Sequence, residues 1–334
     1  MKNPPEQNPM KILWIEREDS DYTPIETVPS EFIPLILPYA GVYFNQDADC
    51  DTLSQNIKLP DFSIWSHEIY AHENIILAPQ TPYQILALHF MEADGVVADI
   101  SHRGLFLLNE KEVNLFNLHA RFHTAQMEAG NVIFSFHVNI LPASLPKLIN
   151  KYPELQHLAS MEIDTTSGPL NKKPYKISAA CQELITAIYK CRLIEEQAKY
   201  YLHRCCIDLY INFARQDKLS GIINKVSPAM RITLKAVFDH LKENIKEVFN
   251  INRLASLYEV PVTELKEAFE QMFFISPKAF AHQQKMMAAY SLVVKTKQQL
   301  SFIAEETGFK SWNALRKAFE AYYGYTPISV RNAQ

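Results

Sequence analysis

Eight histidines lie among the first 160 residues, and a histidine-rich stretch raises metal chemistry first. The stretch "SHEIYAHEN" offers His67, Glu68, His72 and Glu73. A strand-borne metal site needs ligands on one face, as in HxH with a further Glu and His. His67 and His72 stand five apart, so on a strand they point to opposite faces. His119 and His123 in "LHARFH" are four apart, a spacing that suits either a helix or alternate strand positions. His89 and His137 sit inside apolar runs and fit buried or pocket-lining roles. Neither GxSxG nor a Cys/His nucleophile pattern is present. GxxxxGK[ST] and GxGxxG are absent as well, and the whole chain has only eight glycines. These residues point away from an enzyme, a bound metal or a cofactor.

A second set of residues points to a different chemistry. "LKEAFEQMFFISP" (265–277) and "LRKAFEAYYGYTP" (315–327) share Leu, Ala-Phe-Glu and the closing Pro. In the second copy Leu315, Ala318 and Phe319 fall at i, i+3 and i+4 and form a buried stripe, with Trp312 one turn earlier. The opposite stripe is Asn313, Arg316, Lys317 and Glu320. Upstream, "LSFIAEETGF" predicts a short helix ending at Gly308, where a tight turn needs positive φ. Helix, glycine turn and helix with a polar outer stripe is the helix-turn-helix pattern, whose second helix fits a major groove. The first copy follows the same order, with "INRLASLYEV" leading into "PVTELKEAFEQM" and Pro261 placed for the first turn. "PKAFAHQQKMMAAYSLVVKTKQ" between the copies predicts a long connecting helix.

The DNA-contacting candidates are Lys310, Ser311, Asn313, Arg316 and Lys317, joined by Thr263 and Lys266 from the first copy. DNA affinity rests largely on neutralised phosphates. The first outer stripe (Thr263, Lys266, Glu267, Glu270) has formal charge −1, whereas Arg316, Lys317 and Glu320 give +1. The second unit is therefore expected to carry most of the contact.

The elements that must position these residues come in two textures. Residues 1 to about 60 are interrupted by prolines, with short segments such as "KILWIE" fit for strands. From Phe62 to Ile140, runs such as "YQILALHF" and "VIFSFHVNI" read as short strands. In the latter, Val132, Phe134, Phe136 and Val138 share a face. Many short strands predict a sandwich or small barrel. Its pocket would hold a small effector, with Tyr83, His89, Phe106, Phe116, Phe122 and His137 as candidate lining. After "PASLPKL" the period is helical, with two helices joined near Cys191 to Leu193. The second, from Ile194 to Phe213, is apolar enough to suggest a homodimer. "SGIINKVSP" punctuates the chain before a helical C-terminus. The expected division is 1–150 (sensor), 151–227 (helical linker or dimerisation segment) and 228–334 (DNA-binding). The fold class expected is α+β.

Net charge is −4. From Pro228 onward there are 14 basic and 10 acidic side chains, so the acidic excess lies upstream and the C-terminal part suits an acidic partner such as DNA. Five cysteines without CxxC spacing suggest reduced thiols. No apolar run is long enough to span a bilayer, and the N-terminus lacks a signal-peptide core, so a cytoplasmic protein is expected.

Residues 229–331 resemble the AraC-type transcription regulators. The shared signature is Ile303, Ala304, Gly308, Phe309, Ala318, Phe319, Gly324, Thr326, Pro327 and Arg331. The resemblance implies two helix-turn-helix units joined by a long helix, a cupin-like β-barrel sensor, double-stranded operator DNA as partner and contact with RNA polymerase. Upstream, "RGLFLLNEKEVNLFNL", "VIFSFHVNILPASLPKLINKYPELQHL" and "YYLHRCCIDLYINFARQ" resemble the sensor region of pyochelin-type siderophore regulators. The chain departs from the family where Glu267 replaces a basic residue, Phe274 a glycine and Lys317 an arginine. Lysine loses the bidentate geometry of arginine toward guanine or phosphate. Two other readings stay open: an interaction module with a degenerate helix-turn-helix, and a metal-dependent cupin enzyme.

Overall fold

The computed structural model describes residues 9–17, 27–100, 104–119, 123–161, 163, 166–220 and 226–333. It divides into two compact units, Met1–Ile177 and Ser178–Gln334. The division falls inside the span 151–227 read from sequence as a separate segment, so its two long helices belong to the second unit.

The first unit is built from β1 (Met10–Trp14), β2 (Gly41–Gln46), β3 (Cys50–Lys58), β4 (Ser63–Ala71), β5 (Ile75–Gln80) and β6 (Ile85–Ala93). It continues with β7 (Val96–Ile100), β8 (Gly104–Leu108), β9 (Glu112–Leu118), β10 (Thr124–Met127), β11 (Val132–Ile140), α1 (Leu145–Lys151), β12 (Gly168–Pro169) and β13 (Tyr175–Lys176). A five-stranded sheet runs β1-β5-β10-β7-β8, and a larger one runs β12-β9-β6-β11-β4-β3-β2 with β13 also on β9. The only parallel pair among the described strands is β1 with β5. The central strands β4, β6 and β11 are buried on both faces: Phe136 and Val138 on one side of β11, Ser135 and His137 on the other. Register sets His137 opposite His89 and Ser135 opposite His67. This pairing brings histidines from three strands together.

Strand β3 buries Ser54, Gln55 and Asn56, and each has a hydrogen-bond partner. Gln55 Oε1 accepts from the Leu37 amide at 2.8 Å, and its Nε2 donates to the Leu35 carbonyl at 3.0 Å. Buried polar groups survive in a sheet on this condition.

The second unit is helical: α2 (Ala179–Tyr189), α3 (Glu195–Leu219), α4 (Pro228–Glu243), α5 (Ile251–Leu257), α6 (Val262–Phe273), α7 (Pro277–Lys295), α8 (Leu300–Glu306), α9 (Trp312–Tyr323) and α10 (Pro327–Asn332). Two apolar cores are strung on α7. Phe280 and Ala281 join Leu234, Phe238, Leu265 and Phe269 in the first. Met286, Ala289, Tyr290 and Val293 join Ile303, Leu315, Phe319 and Val330 in the second. From Cys205 to Ala214 every residue of α3 is buried, which marks a helix enclosed on all sides. Its apolar residues are thus covered within one chain and supply no argument for a dimer. The five cysteines are buried, unpaired thiols. No helix among the described residues is long and apolar enough to cross a membrane.

Candidate nucleic-acid interface and ligand cavity

The two repeats fold into the same helix-turn-helix geometry. Helix α5 ends with the Val260 amide donating to the Ala255 carbonyl at 3.0 Å, and α8 with Phe309 donating to Ala304 at 2.8 Å. Both endings use a left-handed residue, Glu259 at φ 54° and Gly308 at φ 69°. Such a 6→1 bond around a left-handed residue is the Schellman ending. At 308 only glycine fits, because a Cβ would stand 2.4 Å from the Lys246 carbonyl oxygen. The turn is held there by a Lys246–Glu306 ion pair of 2.6 Å. Lys285 of α7 donates to the Glu247 carbonyl at 2.8 Å beside it.

In each second helix the spacing buries one stripe: Leu265, Phe269 and Phe273 in α6, and Leu315, Phe319 and Tyr323 in α9. Trp312 packs against the core of its unit. On the outer side of α9, Lys310, Ser311, Asn313 and Lys317 are exposed. Arg316 is half-buried and lies 3.2 Å from Glu320 Oε2, so part of its charge is already met. The Ser311 hydroxyl accepts from the Ala314 amide at 3.2 Å as the N-cap and keeps its own O–H free to donate outward. Thr263 and Lys266 are exposed on α6, but so are Glu264, Glu267 and Glu270. Helix α6 also starts at Pro261 without a side-chain cap. The acidic side chain of Glu264, in the first turn, adds to the unfavourable field expected from Glu267.

Helix α3 grips the C-terminal ends of both second helices. Asn212 donates through Nδ2 to the Phe273 and Phe274 carbonyls at 2.9 and 3.3 Å. Phe274 is the left-handed cap of α6, at φ 56°. Two turns earlier, Arg204 donates to the Tyr322 carbonyl at 3.3 Å and pairs with Asp208 at 2.5 Å. The Arg204 guanidinium lies 3.8 Å from the centre of the Tyr322 ring, whose hydroxyl donates to Asp208. Burial, with the Asp208 charge second, holds the Tyr322 phenol protonated as that donor. No sequence pattern signals this grip, since Arg204, Asp208 and Asn212 sit on a helix assigned to another segment.

In the β unit a cavity of about 110 Å³ lies between the sheets. Leu13, Ile15, Ala98 and Ile100 line it from one side, His67, His89, Phe116, Ser135 and His137 from the other, and the buried His123 is also part of the lining. Of the candidate lining residues, His89, Phe116 and His137 line this cavity. Phe106 packs edge-on against Phe116 at 5.6 Å without lining the cavity. Tyr83 lines a different, polar cavity with Glu16, Arg17 and Lys58. Phe122 lies outside the described residues. Sequence reading missed His67 and Ser135; the period-two face shared by Ser135 and His137 was the available signal. His72, by contrast, is exposed beside Asp51, on the opposite side from His67.

The histidines form one directed network. Asn139 Nδ2 donates to the Ile15 carbonyl at 3.0 Å, which turns its Oδ1 toward His137 Nδ1 at 3.0 Å. His137 therefore carries its proton on Nδ1 and accepts at Nε2 from His67 Nε2, 3.1 Å away. His67 Nδ1 in turn accepts from Ser54 Oγ at 2.8 Å. These tautomers are assigned from the bonding partners. Burial pushes His89 down to about 3 and His137 down to about 4. Burial, then the neighbouring His137 and His89, holds His67 well below its ordinary value. Among the described residues no group of three His, Cys, Asp or Glu side chains is placed to hold a metal ion.

Residues 254–333 match the model of a helix-turn-helix domain family. Over 91 residues the chain is 26% identical to the virulence regulon transcriptional activator VirF of Yersinia enterocolitica, covering 27% of this chain and 34% of VirF. The chain thus spans about a third of the length of the curated relatives it matches. The DNA-binding domain of AdpA in complex with a target DNA is 24% identical over 30% of this chain and 91% of its own, with a TM-score of 0.29. ToxT of Vibrio cholerae bound to an unsaturated fatty acid is 10% identical, covering 82% of this chain and 96% of its own, with a TM-score of 0.32. The family match begins at residue 254 and so leaves the upstream resemblance to pyochelin-type regulators without support. Within the helix-turn-helix domain, Lys317 and Arg316 stand on the second helix of the second unit, and Lys266 on that of the first.

Proposed function

We propose that the protein is a transcription regulator that binds double-stranded DNA through its helix-turn-helix domain and responds to a small molecule held in its β unit. The observation that carries this reading is the pair of matched helix-turn-helix units, of which the second exposes Lys310, Ser311, Asn313 and Lys317 around a half-buried Arg316. A helix of this kind fits the major groove, its N-terminal residues reaching base edges and its flanks meeting phosphate. Helix α9 is the principal contact, and Thr263 and Lys266 of α6 are minor ones. VirF, 26% identical over 91 residues, is a transcriptional activator. A cytoplasmic location, a homodimer and contact with RNA polymerase belong to this reading.

The ligand signal has a route through strand pairing, the chain from β13 to Ser178 and hydrogen bonds. Phe116 of the cavity lies on β9, which pairs with β13. One residue separates β13 from Ser178, whose hydroxyl caps α2 and donates to Asn212 Oδ1 at 2.7 Å. Asn212 holds the end of α6. A ligand acts along this path only if it binds two arrangements with different affinity.

The test is binding of the full chain to duplex DNA from its own upstream region, titrated against salt. Specific affinity that falls steeply as salt rises supports the reading. Affinity no greater than for unrelated duplex, with and without cell-extracted small molecules, overturns it. The acidic outer stripe of α6 favours one alternative, a domain that binds protein in place of DNA, and that result would select it.

A further inference from the structure

The cavity between the sheets specifies the charge and size of its ligand. Its lining among the described residues contains no lysine, arginine, aspartate or glutamate. Its polar groups are histidines and one serine. His137 is committed to a neutral tautomer by its partners, because a second proton would set two N–H groups head to head across 3.1 Å; burial, then the neighbouring His137 and His89, disfavours a charge on His67. The neutral chain is anchored at both ends, by Ser54 donating to His67 and by His137 donating to Asn139. Among the described residues no counter-charge therefore waits for a buried carboxylate or ammonium, and burying an uncompensated charge is far more costly than burying a neutral polar group.

Beyond that pair, three polar side chains line the cavity, Ser135, His123 and His89, and His89 is the one set against the aromatic wall. His89 Nδ1 is buried and has no hydrogen-bond partner among the described residues. A proton there would be an orphaned buried donor, so the imidazole carries it on Nε2, the nitrogen left to meet whatever fills the cavity. Beside it stand Phe116, 6.0 Å from the His89 ring centre and edge-on to it, and the aliphatic side chains of Leu13, Ile15 and Ile100. At about 110 Å³ the space approaches that of cavities known to take a single benzene ring.

We infer that the effector site takes an uncharged, single-ring molecule bearing one hydrogen-bond acceptor, held between apolar walls with the acceptor on His89 Nε2. This deepens the proposed function and rests on the β unit being its sensor.

The test uses the full chain, with histidine ring signals read by NMR, and four matched probes: acetophenone, toluene, benzoate and benzylammonium at neutral pH. Acetophenone is expected to shift the His89 signal, identified by its loss in His89→Phe, and to bind about tenfold more tightly than toluene, the worth of one hydrogen bond. In His89→Phe that preference should vanish while toluene binding persists. Benzoate or benzylammonium binding at this site as tightly as acetophenone overturns the inference, and so does failure of every probe to bind. If acetophenone binds as expected but leaves DNA affinity unchanged at saturation, the ligand class stands and the sensor role falls.

Discussion

Replacing Arg204 by Met tests how firmly α3 holds the second recognition helix. Arg204 and Asp208 are almost enclosed, with side chains 14% and 9% exposed, and the guanidinium also lies on the Tyr322 ring and donates to the Tyr322 carbonyl. Removing the cation leaves Asp208 in a buried place with the Tyr322 hydroxyl as its remaining strong partner. Breaking a buried pair from one side costs about 3–5 kcal/mol, whereas an exposed pair is worth at most about 1 kcal/mol. That is a large part of the roughly 5–15 kcal/mol that holds a domain folded. Urea unfolding of the full chain, with and without the change, measures it. Arg204→Met with Asp208→Leu should recover most of the loss, because the uncompensated charge goes too. DNA affinity should follow the same order, with the double variant nearer to wild type than the single one. A cost below about 1 kcal/mol for Arg204→Met, or a double variant no better than the single, would refute the grip as described.

Other expectations can be checked in the same unfolding assay. Gly308→Ala places a Cβ 2.4 Å from a backbone oxygen at positive φ and should cost more than about 2 kcal/mol, above the roughly 1–2 kcal/mol of left-handed strain alone. Glu259→Gly, at the matching turn of the first unit, should be neutral or gain up to about 1 kcal/mol; a comparable loss at both turns would show that the turns are not equivalent. Asn212→Ala strips the α6 carbonyls of their donor and should cost about 1–3 kcal/mol, with the added exchange of amide protons confined to the last turn of α6 and the cap after it if the effect is local. Acid should destabilise the β unit between pH 6.5 and 4. His67, His89 and His137 have folded values pushed below the ordinary one, so the unfolded chain takes up their protons first, worth about 2 kcal/mol each at pH 5 for His89 and His137, with a loss of the same sign for His67. Glu68, raised by burial to about 7, opposes them by about 2 kcal/mol, leaving a net loss of at least about 2 kcal/mol from pH 7 to 5. Stability that rises over that interval contradicts the neutral histidine network.

The repeated unit was legible because it is local: period, turn and cap lie within 25 residues, and Leu315 and Phe319 announce their face by spacing alone. The junction between α2 and α3 near Cys191 was legible for the same reason. Strand β3 was hidden because it buries Ser54, Gln55 and Asn56 across both of its faces, erasing the polar-outside alternation that marks a strand. The histidine network was hidden by distance along the chain. His67, His89 and His137 meet only through the register of β4, β6 and β11, which no local pattern in these doubly buried strands determines. The same limit misplaced Tyr83, whose strand-like context could not tell one cavity from its neighbour. The apolar length of α3 is plain in the sequence, but burial within its own chain explains it as well as a second subunit does.

In the proposed function, helix α9 carries the DNA contact and α6 contributes little. Salt titrations of DNA binding by the wild type, Lys317→Ala, Lys310→Ala and Lys266→Ala test this most directly. Each phosphate that a variant no longer neutralises should reduce the slope of log affinity against log salt by about 1. That reduction, with weaker binding, is predicted for Lys317→Ala and Lys310→Ala, and an unchanged slope for Lys266→Ala. Equal reductions for all three, or a loss confined to Lys266→Ala, would contradict it.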